Sequence, residues 1–387
     1  MSILKSIKKR LYYQFSKLIG LLPMQNIVVF NSFYGKGMAD DPKYIALELL
    51  RREPHARLLW LLNDTKQSKL PEGIEPLEVG SLKAVYYLSR ARVWIDNCRG
   101  LSHTAAKRKE QYYIQTWHAT FGLKKLGTEN DKSSLKRRNY VKSDMAMVDL
   151  MYSNNDFRAN KYRTTFWYDG PVLKCDQPRV SFMMNQPAGL KDSICKKIGI
   201  SSKSKIAMYA PTFRDDNRND FSAYNYDFDP IVSSLEEKFG NDFVMLIRLH
   251  PNLRELSITN KFNFNARVVD VTSMPDMEEL LCITDVLITD FSSSMFDFSI
   301  ARKPVFLLAK DYTHYTTVNR ELYFDPKNEL PFSFSEDEKS LMNNIHNFNE
   351  HEYFEKCDDF FKMIGLEDHG KGDKVLADIV MSKMLFK

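Results

Sequence analysis

Short apolar runs alternate with helical patterns along the whole chain. In the first half, residues 27–30, 58–62, 93–96 and 112–116 read as strands, with helical stretches at 42–51 and 84–88. In the second half, 206–209, 244–248, 267–271, 286–289 and 305–308 read as strands, and 229–239, 277–282 and 293–300 as helices. Near-continuous apolar strands separated by helices imply βαβ units and parallel sheets covered on both faces. The pattern weakens at 168–178, where Gly170, Pro171 and Pro178 fall, and a domain boundary is predicted there. The segment 122–138 is polar and rich in Lys and Arg, a loop or an exposed helix.

The predicted fold class is α/β and GT-B-like. Two doubly wound, Rossmann-like domains cover 25–175 and 176–387, with an interdomain cleft and a helical C-terminal tail from Glu336. The first domain would serve the acceptor and the second the donor nucleotide. The 387-residue length suits two domains. No GxGxxG follows a strand, so a dinucleotide fold is not supported.

Residues 1–24 differ in kind. Lys5, Lys8, Lys9, Arg10 and Lys17 are interleaved with Ile3, Leu4, Ile7, Leu11, Phe15, Leu18, Leu21 and Leu22 at roughly helical spacing. This predicts an amphipathic helix on an anionic membrane surface, at the cytoplasmic face of the cell membrane; the plainer alternative is a first helix that covers the core. Charges recur through the segment and no small-residue cleavage site follows, unlike a signal peptide. No apolar run is long enough to span a bilayer. The net charge of +5 permits an anionic substrate. No basic run is interleaved with aromatics in the manner of a nucleic-acid binder, so no nucleic-acid partner is expected. Cys98, Cys175, Cys195, Cys282 and Cys357 form no CxxC pair, which argues against a zinc site or disulfide framework and for a reducing compartment.

Ligands of open parallel sheets bind beyond the carboxyl ends of the strands, so residues just after each strand are the candidates. His118 follows one strand, in a loop with Gly122, Lys124 and Lys125; a histidine near neutral pKa can take a proton from an attacking hydroxyl, though it can equally be a satisfied strand-end residue. Pro211, Thr212 and Arg214 follow another and can meet a phosphate, unless Arg214 simply pairs with Asp215 or Asp216. Arg248 and His250 alternate at a strand end and flank Leu249; a cation pair on one side calls for an anion such as a diphosphate. Ser292 or Ser293 should cap the helix that follows, giving an anion-attracting N-terminus, with Asp297 about one turn in. Arg179, after Pro178 at the predicted boundary, is placed to reach into the cleft. Asp40-Asp41 and Asp215-Asp216 are the only metal candidates and neither has a supporting ligand nearby, so the predicted site needs no metal and no cofactor.

Taken together these segments resemble the CDP-glycerol glycerophosphotransferases of teichoic acid synthesis and their capsule-building relatives. The resemblance runs through Gln115-Thr116-Trp117-His118, Tyr209-Ala210-Pro211-Thr212-Phe213-Arg214-Asp215-Asp216, Arg248-Leu249-His250-Pro251 and Leu287-Ile288-Thr289-Asp290-Phe291-Ser292-Ser293-Ser294-Met295-Phe296-Asp297. Lys303-Pro304-Val305-Phe306 and Glu321-Leu322-Tyr323-Phe324-Asp325 extend it, so that it covers about 26–325. It implies a GT-B fold, a CDP-alditol donor, and a polymer or lipid-linked saccharide acceptor. Donor contacts are implied at His118, Ala119, Thr120, Phe121, Gly122, Arg179, Pro211, Thr212, Arg248, His250, Ser292, Ser293 and Asp297. His118 would be the general base, and Arg248 and His250 would offset charge on the departing CMP. Ala119 stands where the family usually carries Gly, and Pro178-Arg179-Val180-Ser181 where it carries Pro-Arg-Asn-Asp. The alternatives are a CDP-ribitol-dependent transferase and a nucleotide-sugar glycosyltransferase on the same fold.

Overall fold

The computed structural model describes residues 3–66, 70–101, 104–126, 129, 134–214, 221–250 and 262–384, with side chains from residue 10 onward. The chain forms two compact units. Unit 1 comprises Met1–His118, Leu126–Phe182 and Asp368–Lys387; unit 2 comprises Ala119–Lys125 and Met183–Glu367.

In unit 1, β1 (Gln25–Asn31), β2 (Arg57–Leu62), β3 (Ile74–Glu78), β4 (Ala91–Asp96) and β5 (Tyr112–Gln115) form a parallel sheet of order β3-β2-β1-β4-β5. A two-stranded parallel sheet pairs β6 (Met151–Ser153) with β7 (Val172–Lys174). The helices are α1 (Ile3–Ile19), α2 (Asp40–Arg52), α3 (Leu82–Arg90), α4 (Leu135–Met145), α5 (Asp156–Phe166) and α6 (Pro178–Met184), which starts in this unit. Val28 and Phe30 of β1 pack with Leu58 and Trp60 of β2 and with Ile45 and Leu49 of α2. Each fully buried side chain of this kind contributes about 1.5–3 kcal/mol.

Unit 2 carries α7 (Leu190–Ile198), β8 (Lys205–Tyr209), α8 (Phe228–Phe239), β9 (Phe243–Ile247), β10 (Val268–Asp270), α9 (Met277–Ile283), β11 (Val286–Thr289), α10 (Ser294–Ile300), β12 (Val305–Leu308), β13 (Ser333–Ser335), α11 (Glu338–His346) and α12 (Glu350–Met363). Its sheet is parallel throughout, in the order β10-β9-β8-β11-β12-β13. Both units are thus doubly wound and Rossmann-like, the GT-B-like α/β class expected from the strand rhythm.

The partition differs from the predicted 175/176 boundary. Residues 176–182 belong to unit 1, and so does the end of the tail. The last helix, α13 (Gly372–Lys383), places Leu376, Ala377 and Val380 in the core that holds Val28 and Ile45. Its start is fixed by Asp176, whose Oδ2 accepts from the backbone N–H of His369 at 3.0 Å and of Lys371 at 2.9 Å. Ser181 Oγ accepts from Gly372 N at 2.8 Å. A Cβ on Gly372 would lie 2.2 Å from the Asp176 carbonyl oxygen, so only glycine permits this approach. Val180 and Ser181, the two departures from the family's polar pair, are therefore buried packing positions on α6.

Candidate functional site

In unit 1 the strand order reverses at β1 and β4, where doubly wound sheets open a crevice at the carboxyl ends. Asp96, the last residue of β4, accepts from Asn31 Nδ2 at 3.0 Å, Cys98 N at 2.9 Å and Gly100 N at 2.7 Å. Burial still pushes its carboxyl above the usual range. Asn97 comes next. Its Oδ1 accepts from Phe33 N at 2.8 Å, and its Nδ2 donates to Asp40 at 2.6 Å. Its backbone oxygen lies 2.9 Å from His118 Nδ1. A carbonyl oxygen can only accept, so Nδ1 carries the proton and Nε2 keeps its lone pair. Burial lowers the pKa of His118, against the opposing pull of the Asn97 bond, and favours the neutral imidazole. The ring stacks on Trp117 at 4.0 Å. Phe33, Tyr34, Asp40, Arg99 and Trp117 all hold left-handed φ values, from 46° to 61°. Such strain costs about 1–3 kcal/mol per residue and gathers where geometry serves function.

Arg179, inferred from the sequence as a nucleotide contact, is engaged instead by buried carboxylates of its own unit. It is 2% exposed, and Nη1 donates to Asp41 at 2.7 Å and to Asp40 at 3.1 Å. Its backbone N–H donates to Asp41 at 2.9 Å. Tyr152 Oη donates to the same carboxylate at 2.8 Å. Asp40-Asp41 is accordingly half of a buried ion cluster with Arg179. Burial, and then the neighbouring Asp40 charge, hold the Asp41 carboxyl up at about 7 against the opposing effect of Arg179. Asp215 and Asp216 lie outside the described residues.

In unit 2 the order reverses at β8 and β11. Asp290, just past β11, accepts from Thr212 N at 2.8 Å and from Arg214 Nη1 at 2.8 Å. Arg214 also makes a two-pronged contact with Asp311, at 2.6 and 2.8 Å, and donates to the Thr212 carbonyl at 2.7 Å. Phe291 and Tyr315 lie 5.2 and 4.8 Å from its guanidinium carbon. Arg214 is thus buried and engaged by two carboxylates that are not the adjacent Asp215 and Asp216. It ties the Pro211–Thr212 turn to the β11 loop through Asp290. Pro211 of that turn is buried, and Thr212 Oγ1 is buried with no hydrogen-bond partner among the described residues.

β9 stops at Ile247, one residue short of the predicted strand. Arg248 N still donates to Tyr209 O at 2.9 Å. Arg248 Nη1 donates to the carbonyls of Thr272 at 2.9 Å, Val271 at 3.3 Å and Met274. Burial lowers its pKa, while Glu278, Asp276 and Asp270 act at longer range to raise it. No carboxylate lies within ion-pair distance among the described residues, so its charge is placed but not neutralised. Leu249 is buried, and its N–H donates to Thr272 Oγ1 at 3.1 Å. His250 is exposed and stacks on Phe213 at 5.4 Å.

The expected serine cap is modified. Ser293 is in helical conformation and its side chain makes no capping bond; Ser292 Oγ takes the weak role, accepting from Ser294 N at 3.4 Å. Asp297 is buried, not exposed, and accepts from Thr120 Oγ1. These two sequence-predicted positions, 177 residues apart, are brought together within unit 2. Phe121 is held there by Phe296 at 4.5 Å and Phe324 at 5.5 Å. Gly122 takes φ 73°, which only glycine adopts readily. Ala119 is half-buried, and Lys124 lies over the Tyr315 ring at 5.8 Å. The sequence reading missed Asp40 and Asn97 as the residues that fix His118. Both follow loops at strand carboxyl ends, so the rule that singled out His118 also reaches Asn97.

Two doubly wound units, with a hydrogen-bonded histidine in one and, in the other, a serine-rich turn and an arginine with no carboxylate within ion-pair distance among the described residues, have the architecture of a GT-B-like transferase. The chain belongs to the CDP-Glycerol:Poly(glycerophosphate) glycerophosphotransferase family, whose model matches residues 14–380. It is 30% identical to the teichoic acid poly(glycerol phosphate) polymerase of Staphylococcus epidermidis over 91% of its own length, and spans 50% of that protein. It is 29% identical to the teichoic acid glycerol-phosphate transferase of Staphylococcus aureus, with 98% of each chain covered. Among solved structures, the Wall Teichoic Acid Polymerase TagF, in a variant soaked with CDPG, superposes with a TM-score of 0.83 at 27% identity, covering 97% of this chain and 93% of that one.

Proposed function

We propose that this protein transfers glycerol phosphate from CDP-glycerol to a hydroxyl of a growing teichoic-acid-like or capsule polymer and releases CMP. Family membership and the relatives above support the reaction; the observation that carries the mechanism is the 2.9 Å contact of His118 Nδ1 with the Asn97 carbonyl. With Nδ1 protonated, Nε2 takes the proton of the acceptor hydroxyl as its oxygen attacks the phosphorus that bears glycerol. The bond from that phosphorus to the CMP oxygen breaks, and CMP departs. Arg248, His250, the Ser292–Ser293 turn and Thr212 hold the diphosphate and offset charge on the leaving group. Asp297, with Thr120, orients the alditol end of the donor. The reading invokes no metal ion or other cofactor.

The test is a donor screen with a saccharide-primed or lipid-linked acceptor. CMP is expected from CDP-glycerol, with less from CDP-ribitol and no UDP from UDP-sugars. Preferential release from CDP-ribitol or a UDP-sugar overturns the donor assignment. Donor binding with no turnover on any primer would instead describe a nucleotide-binding scaffold.

No helix among the described residues is long and apolar enough to cross a membrane. The protein is proposed to sit peripherally on the cytoplasmic face of the cell membrane through α1. α1 packs on α3 yet leaves Leu11 62% and Leu18 66% exposed, beside Arg10 and Lys17, and Leu21 in the turn that follows is 83% exposed. Leucines one helical heptad apart, flanked by cations, suit an anionic bilayer surface. Leu18→Glu with Leu21→Glu is expected to lower binding to phosphatidylglycerol vesicles at least tenfold in a sedimentation assay. Unchanged binding removes α1 as the anchor.

A further inference from the structure

α4 carries Lys136, Arg137, Arg138 and Lys142, and its one acid, Asp144, is buried. Lys136, Arg137 and Lys142 are exposed, and none has a carboxylate within ion-pair distance among the described residues. The helix is tied to the loop after β4, where Tyr140 Oη donates to the Arg99 carbonyl at 3.1 Å. Arg99 is half-buried, with its guanidinium carbon 4.6 Å from the Trp117 ring centre and 5.2 Å from that of Phe166. Trp117 in turn stacks on His118. A planar guanidinium laid on an indole keeps its N–H edge available for an oxyanion.

The groups facing Arg99 come from several elements. Tyr34 and Cys98 are neutral near pH 7. Asp144 favours the charge from within α4, and Arg137 opposes it. Burial is the largest influence and lowers the pKa of Arg99. Two guanidiniums near each other, one of them largely desolvated, hold excess positive charge that an anion relieves.

We propose that Arg99 and the cationic surface of α4 form a track for the phosphodiesters of the acceptor polymer, seating the chain so that its terminal hydroxyl reaches His118. The proposal rests on the function above and adds the acceptor site. The occupant is a flexible polyanion, not a lipid surface: Arg137 acts on Arg99, which stacks beside the base, and α4 has no exposed leucine face like that of α1. Its one large exposed aliphatic side chain is Leu135. Arg99 is a binding residue for the phosphodiester nearest the reacting hydroxyl, and the α4 cations bind the units behind it.

The experiment uses the full chain and synthetic oligo(glycerol phosphate). Arg137→Gln with Lys142→Gln changes exposed positions only. Arg99→Gln probes the half-buried one, with Arg99→Lys as the charge-keeping control. Loss of charge-assisted contacts should raise acceptor KM about tenfold or more. Donor KM should not move, kcat at saturating acceptor should stay near wild type for the α4 pair, and acceptor affinity should depend less steeply on salt. Acceptor KM within twofold of wild type in the α4 pair, or an equal rise in donor KM, overturns the track. So does loss of phosphatidylglycerol vesicle binding with oligomer binding intact. Calorimetric binding of the oligomer to wild-type and variant chains is read without turnover, so a protein that binds the oligomer through α4 but releases no CMP from CDP-glycerol refutes the proposed reaction and keeps the track.

Discussion

His118→Asn is expected to lower kcat by about 10²–10⁴-fold with CDP-glycerol affinity near wild type. Asparagine can place its Nδ2–H where the histidine Nδ1–H now meets the Asn97 carbonyl, so the loop should keep its shape. What it lacks is a basic atom in the Nε2 position. The pH profile gives a second reading of the same group. Burial lowers the pKa of His118, so its protonated form accumulates only below the usual histidine range. Wild-type kcat/KM should therefore hold through neutrality and fall as pH drops below about 6.5. The variant should lose that acid limb along with the rate. A near-full rate at saturating CDP-glycerol would show that another group takes the proton.

Arg179→Met should destabilise unit 1 by about 3–5 kcal/mol, because it strands two buried carboxylates that now share one guanidinium. The nucleotide-contact role implied by family resemblance predicts the opposite: weaker donor binding and an unchanged unfolding midpoint. Urea unfolding alongside a donor titration separates the two. The sign of the pH dependence follows from Asp41. A carboxyl raised to about 7 binds its proton more tightly folded than unfolded, so its contribution to stability declines as pH rises from about 4 to 7. Above about 7 the wild-type protein ionises Asp41 against Arg179, whereas the variant must either retain the proton or bury an unmatched charge. The difference between wild type and variant should therefore widen above pH 7 and narrow at pH 5. Asp41→Asn added to Arg179→Met should recover part of the loss.

Much of the fold was legible along the chain. Runs such as Val28–Phe30 and Leu58–Leu62 are apolar on both faces, and only a covered parallel strand accommodates that. β3 escaped notice because Ile74-Glu75-Pro76-Leu77-Glu78 is half polar and holds a proline; it is an edge strand, where a missing N–H does no harm. α4 was ambiguous because its residues show almost no amphipathic pattern.

Local order alone singled out the loops in which the site is proposed, since the carboxyl end of a strand is a position in the chain as much as in space. His118, Thr212, Arg248 and Ser292 all follow from that rule. The partners of the charged groups do not. Arg179 finds Asp40 and Asp41 nearly 140 residues away, and Arg214 finds Asp290 and Asp311, 76 and 97 residues away. The helical reading of the tail likewise did not say that α13 packs beside β1 and α2. Sequence fixes which residue types stand at strand ends, because hydrophobic period and turn chemistry act over a few residues. Which cations are neutralised within the fold, and which remain for a phosphate, depends on contacts between segments distant in the chain, and only the tertiary structure decides those.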